Sequence, residues 1–97
     1  MLFRSIQEVD EDLADRFDLS EPAGILITKI MEGSAAAEAG LREGDIIVAL
    51  DGWKASKIGA FRNRVASTMP NTRVDLEIVR EGKYLEISAT TKAMNYE

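Results

Sequence analysis

The apolar positions of this chain fall into short clusters whose period changes along its length. Residues 4–9 alternate in polarity and predict a short strand. Asp10-Glu11-Asp12 reads as a helix start: a capping aspartate followed by acids facing the positive end of the helix dipole, with Leu13, Ala14 and Phe17 behind at helical spacing. Glu21-Pro22-Ala23-Gly24 breaks the chain, and the β-branched run over 25–31 predicts a buried strand. Ser34 is placed to cap a one-turn alanine helix over 35–39. Gly40 stands where a left-handed C-terminal cap belongs, with Leu41 packing back on the core. Arg42-Glu43-Gly44 turns the chain into a second apolar strand over 45–50, and Asp45 is positioned to accept backbone N–H bonds from that turn. Asp51-Gly52 is a tight-turn signal.

Residues 56–68 carry Ile58, Phe61, Val65 and Ala66 on one helical face, although Gly59 weakens that helix by about 1 kcal/mol relative to alanine. Met69-Pro70-Asn71-Thr72 ends it. Val74, Leu76 and Ile78 then alternate with Asp75 and Glu77, a half-buried strand. Glu81-Gly82 makes a hairpin turn, and residues 84–90 return with Leu85 and Ile87 in register. The expected architecture is α+β: five to six mostly antiparallel strands and two to three helices in a small, partly open sandwich or barrel. The core is expected over 4–91, with 1–3 either foreign to the domain or a native but altered segment, and 92–97 a frayed tail.

Composition sharpens this picture mainly by exclusion. At 97 residues, 45% hydrophobic and 30% charged, the chain is one globular domain. No apolar run approaches the roughly 20 residues of a membrane span. The sequence has no His and no Cys, which removes Cys/His zinc sites, cysteine nucleophiles and histidine-based triads. The net charge is −5, with eleven acidic and four basic side chains in the first fifty residues. The basic excess of the second half is thin, spread over Lys54, Lys57, Arg62, Arg64 and Arg73, so no nucleic-acid surface is expected. Helix capping accounts for Asp10-Glu11-Asp12 without a metal. Leu50-Asp51-Gly52 lacks the hydroxyl residue between acid and glycine found in dimeric aspartic proteases, so Asp51 reads as a turn residue rather than a paired acid/base. Neither catalytic residues, nor a metal, nor a cofactor is expected. Met1-Leu2-Phe3-Arg4 offers no apolar core for a signal peptide.

The most informative block runs from Ala23 to Ile30, through Gly33-Ser34-Ala35-Ala36-Ala37-Glu38-Ala39-Gly40-Leu41, to Gly44-Asp45-Ile46-Ile47-Val48-Ala49-Leu50-Asp51-Gly52. It resembles the PDZ domain. The order of elements is similar to the permuted bacterial form in HtrA/Deg-type serine proteases, and Ile6 to Ala14 and Phe61 to Ala66 are similar to segments of those domains. The resemblance implies a non-catalytic module that binds C-termini or extended segments of misfolded proteins by adding them as a strand to a sheet edge. It implies a carboxylate loop at Leu2, Phe3 and Arg4, an edge strand over Arg4, Ser5, Ile6 and Gln7, and an opposite wall of Phe61, Arg62 and Val65. The loop departs from the family's aromatic-Leu-Gly-aliphatic pattern, with Phe3 in place of glycine and Arg4 in place of the aliphatic residue. The implied partners are peptides of unfolded proteins and the protease domain of a parent chain, in the periplasm or cell envelope. Two alternatives remain open: a domain of another envelope protein, such as a processing protease or secretion component, and an assembly module forming a homo-oligomer through its edge strand. Trp53, just after a turn, is either a partner-facing anchor or packed on a neighbouring strand.

Overall fold

A computed structural model describes residues 6–17, 19 and 23–91. Three helices and six strands follow in the order β1 (Ile6–Glu8), α1 (Glu11–Arg16), β2 (Ile25–Ile27), α2 (Ala35–Ala39), β3 (Ile46–Leu50), β4 (Trp53–Lys54), α3 (Ile58–Ser67), β5 (Arg73–Arg80) and β6 (Lys83–Thr90). All pairings are antiparallel, and the strands lie in the order β1-β2-β3-β5-β6, with β4 paired to β3 off that path. The α+β expectation is met, with two adjustments. The apolar run expected as a strand over 25–31 pairs only through Ile27. The sequence pattern also missed β4, whose two residues are too few to show a period.

The local signals act as the residue chemistry dictates. Asp10 Oδ1 accepts the Leu13 N–H at 2.9 Å, and Ser34 Oγ accepts that of Ala37 at 3.1 Å, which caps α1 and α2. The turns at Asp51-Gly52 and Glu81-Gly82 hold both residues at positive φ, 50° and 81° in the first and 52° and 79° in the second. That twist matches the strands they join. Gly24 is required twice over: its φ is 130°, and a Cβ there would meet Ile46 Cγ2 at 2.7 Å.

The central strands are buried on both faces, which explains why β2 and β3 read as continuous apolar runs. Ile25, Ile27, Ile47 and Ile78 enter a core with Leu41, Phe61 and Leu76. Alternate residues Leu26, Ile46 and Val79 enter a second cluster with Val9 and Ala14 of the α1 side. Val48 falls at a register irregularity between β3 and β5, and it packs against the second cluster. Among the described residues, no helix is long and apolar enough to cross a membrane.

Asp45, 1% exposed, joins the two halves of the domain. Arg80 at the end of β5 donates to both its oxygens, Nε to Oδ1 at 2.8 Å and Nη2 to Oδ2 at 2.7 Å. Oδ2 also accepts the Arg42 N–H at 2.8 Å, and Arg80 Nη2 reaches the Gly40 carbonyl at 3.0 Å. The hydrogen bonds that Arg80 donates to Asp45 raise the Arg80 pKa above its ordinary value. On the outer part of the sheet, the Ser88 hydroxyl and then Arg73 hold the Asp75 carboxyl below its ordinary value.

Three outcomes follow for stability. Replacing Asp45 with alanine strands the Arg42 N–H and the Arg80 guanidinium, and should cost on the order of 3 kcal/mol in a denaturant melt. Gly40 has φ 91° and no atom within 4 Å of a built Cβ, so its substitution tests the backbone alone. Gly40→Val should cost more than about 1 kcal/mol and Gly40→Asn clearly less. Because the folded Asp75 pKa is depressed, its contribution is complete above about pH 4 and fades as pH falls through the folded value. Asp75→Asn should therefore flatten the acid limb of the stability–pH curve.

Candidate functional site

The site is built around the outer strand β1. Its pairing with β2 places Ile6 opposite Ile27 and Glu8 opposite Ile25. Ile6 and Glu8 therefore share one face, while Gln7 points the other way and is exposed. Among the described residues no strand pairs with the other edge of β1; α3 lies beside it instead.

Between them opens a hollow of about 300 Å³. Ile6 and Ile27 form its strand side, Phe61, Val65 and Thr68 its helix side, and Leu41 with Ile30 part of its base. Lys29 contributes the one charged side chain among the described lining residues. An apolar hollow flanked by an unpaired strand edge offers a peptide two things at once: backbone hydrogen bonds along the edge and a sink for an apolar side chain.

α3 presents this wall because Ile58, Phe61 and Val65 recur on its inner face, where Phe61 is buried and its neighbours half-buried. Two further contacts fix the helix. Glu8 Oε2 on β1 accepts the Ile58 N–H at 2.8 Å, across fifty residues of sequence. The Arg64 guanidinium lies over the Trp53 ring, 4.7 Å from its centroid. Trp53 also packs on the core and pairs with Leu50, so it serves as a prop for α3. At the other end, Ser67 and Thr68 donate to the Asn63 and Arg64 carbonyls at 2.8 and 2.9 Å, which closes the last turn.

Ile6, Phe61 and Val65, expected as site residues, thus come together around one hollow. Arg62 is exposed on α3 and does not line it, and Gln7 sits on the opposite side of the strand. Leu2, Phe3, Arg4 and Ser5, with the expected carboxylate loop, lie outside the described residues. Sequence reasoning missed Glu8, Ile27, Lys29 and Thr68 as site residues. Their roles come from which strand lies beside which helix, and a linear period does not carry that.

A family model described as the PDZ domain matches residues 5–91. The chain is 44% identical over 86 residues to a probable periplasmic serine endoprotease DegP-like of Chlamydia muridarum; the match covers 89% of this chain but only 17% of that relative. An HtrA-type protease AlgW solved with a decapeptide superposes with a TM-score of 0.84 at 27% identity, covering 96% of this chain and 29% of that one. The HtrA3 PDZ domain bound to a phage-derived ligand shares the fold, with a TM-score of 0.73 at 22% identity over 88% of this chain and 77% of that one. The chain belongs to the PDZ domain family. It spans about a sixth of the length of the DegP-like relative it matches.

Trp53 is the single tryptophan, so its emission reports on the α3 prop. Arg64→Ala should red-shift that emission and lower stability by about 0.5–1 kcal/mol. An unchanged spectrum would show that Arg64 does not cover the ring in solution.

Proposed function

We propose that this PDZ domain captures C-termini or exposed extended segments of unfolded proteins as an extra strand on β1, with an apolar side chain in the hollow beside Val65. The carrying observation is the edge of β1, unpaired among the described residues, facing α3 across that hollow. The decapeptide solved with the similar HtrA-type protease supports a peptide as the ligand. On this reading the domain is a non-catalytic part of an HtrA/Deg-type serine protease of the periplasm or cell envelope, presenting substrate to the protease domain or regulating it. The periplasmic DegP-like relative supports that setting. Leu2, Phe3, Arg4 and Ser5 would supply the carboxylate loop and the start of the edge strand, and Arg62 would bring positive charge near the ligand.

Calorimetry with one peptide in two forms tests this. A free-acid peptide ending in Val, Leu, Phe or Ala should bind at roughly micromolar strength, about −8 kcal/mol, and its C-amidated form much more weakly. Equal affinities would remove carboxylate recognition. Amide exchange with the free acid present should show new protection along β1 and α3. Protection confined to the region of Trp53 or the 81–83 turn would move the ligand elsewhere. Val65→Lys should abolish binding while leaving a cooperative melt, because Val65 is only half-buried.

A further inference from the structure

We infer that Glu8 is a positioning residue of the groove: its carboxylate spans from edge strand to helix and sets the separation of the two walls between which a ligand strand must fit. The inference rests on the groove reading above and adds to it a residue whose side chain acts through α3.

The start of α3 explains why a distant carboxylate is used. Lys57 occupies the cap position in extended conformation, φ −116° and ψ 130°, but makes no side-chain capping bond. The first turn contains no acidic residue. A helix start without a local cap leaves N–H groups and the positive dipole end to be satisfied elsewhere. Glu8 supplies an anionic acceptor at 2.8 Å from the Ile58 nitrogen. A local Ser or Asp at position 57 would cap the helix as well, yet it would leave α3 free to shift relative to β1. The cap comes from the strand, so capping and groove width are set by one bond.

Placement supports the same conclusion. Glu8 follows Ile6 by two residues on the same face of β1, so the bridge stands about 7 Å along the strand from the hollow. The groove is therefore pinned at one end, while the hollow opens where Phe61, Val65 and Thr68 line it. Gly59, in the first turn, has no atom within 4 Å of a built Cβ and adds no packing to hold the helix there.

The test separates positioning from simple helix capping. The proteins are wild type, Glu8→Gln, Glu8→Ala and the double variant Glu8→Ala/Lys57→Ser, which replaces the missing cap locally. Each is measured for thermal midpoint, for exchange of the Ile58 amide, and for affinity toward one free-acid peptide. Glu8→Ala should weaken binding about five- to tenfold and speed Ile58 exchange. Glu8→Gln keeps an acceptor oxygen and should stay within about twofold of wild type. The double variant should recover stability, because a hydroxyl at position 57 caps the Gly59 or Ala60 N–H, but should recover neither Ile58 protection nor affinity. Recovery of affinity in the double variant would reduce Glu8 to a cap and overturn the inference. Wild-type affinity in Glu8→Ala would overturn it alone, whereas failure of wild type to bind any peptide would overturn the groove reading and this inference together.

Discussion

The pairing of buried Asp45 with half-buried Arg80 is the constraint on which the rest of the domain depends. Residues 40–45 reverse the chain between α2 and β3, with Leu41 and Asp45 turned into the core and Gly40, Arg42 and Glu43 left at the surface. Asp45 takes up the Arg42 N–H, and Arg80 takes up the Gly40 carbonyl while neutralising the aspartate. The turn is thus fastened to the end of β5, the neighbour of β3 in the sheet. A buried pair of this kind adds modest net stability over an apolar substitute, but removing one member leaves an uncompensated group and is costly. Its consequence is geometric. Leu41, directly after Gly40, is held in the core and forms part of the base of the hollow.

The groove arises from how little holds α3. The sheet is fixed by continuous pairing, and β2 and β3 are locked by packing on both faces. The helix rests on one apolar face, with a carboxylate bridge to β1 at its start and an arginine-on-tryptophan contact to β4 along its flank. A wall supported at separate points beside a rigid strand can keep an apolar hollow open, where continuous packing would have filled it. In this domain the hollow lies between that helix and β1.

Much of the fold was legible in the sequence because it is encoded locally. The Asp10 and Ser34 caps, the left-handed Gly40, the paired positive-φ turns at Asp51-Gly52 and Glu81-Gly82, and the alternation of β5 each follow from a few adjacent residues. So did the acceptor role of Asp45 toward its own turn. Part of the site was legible for the same reason: Phe61 and Val65 repeat on one helix face, and Ile6 alternates along a strand.

Contacts between segments distant in sequence were decided only by the tertiary structure. Arg80 as the partner of Asp45 is set by the β3–β5 register, thirty-five residues away. Glu8 at the start of α3 is set by which edge of the sheet receives the helix. Trp53, ambiguous between partner anchor and packed residue, is resolved by the two-residue strand β4 and by Arg64 above its ring. A period of two or of 3.6 shows which face of an element is apolar, but not what that face meets. The groove is a meeting of faces, and for that reason its walls could be read from the chain while the bridge that spaces them could not.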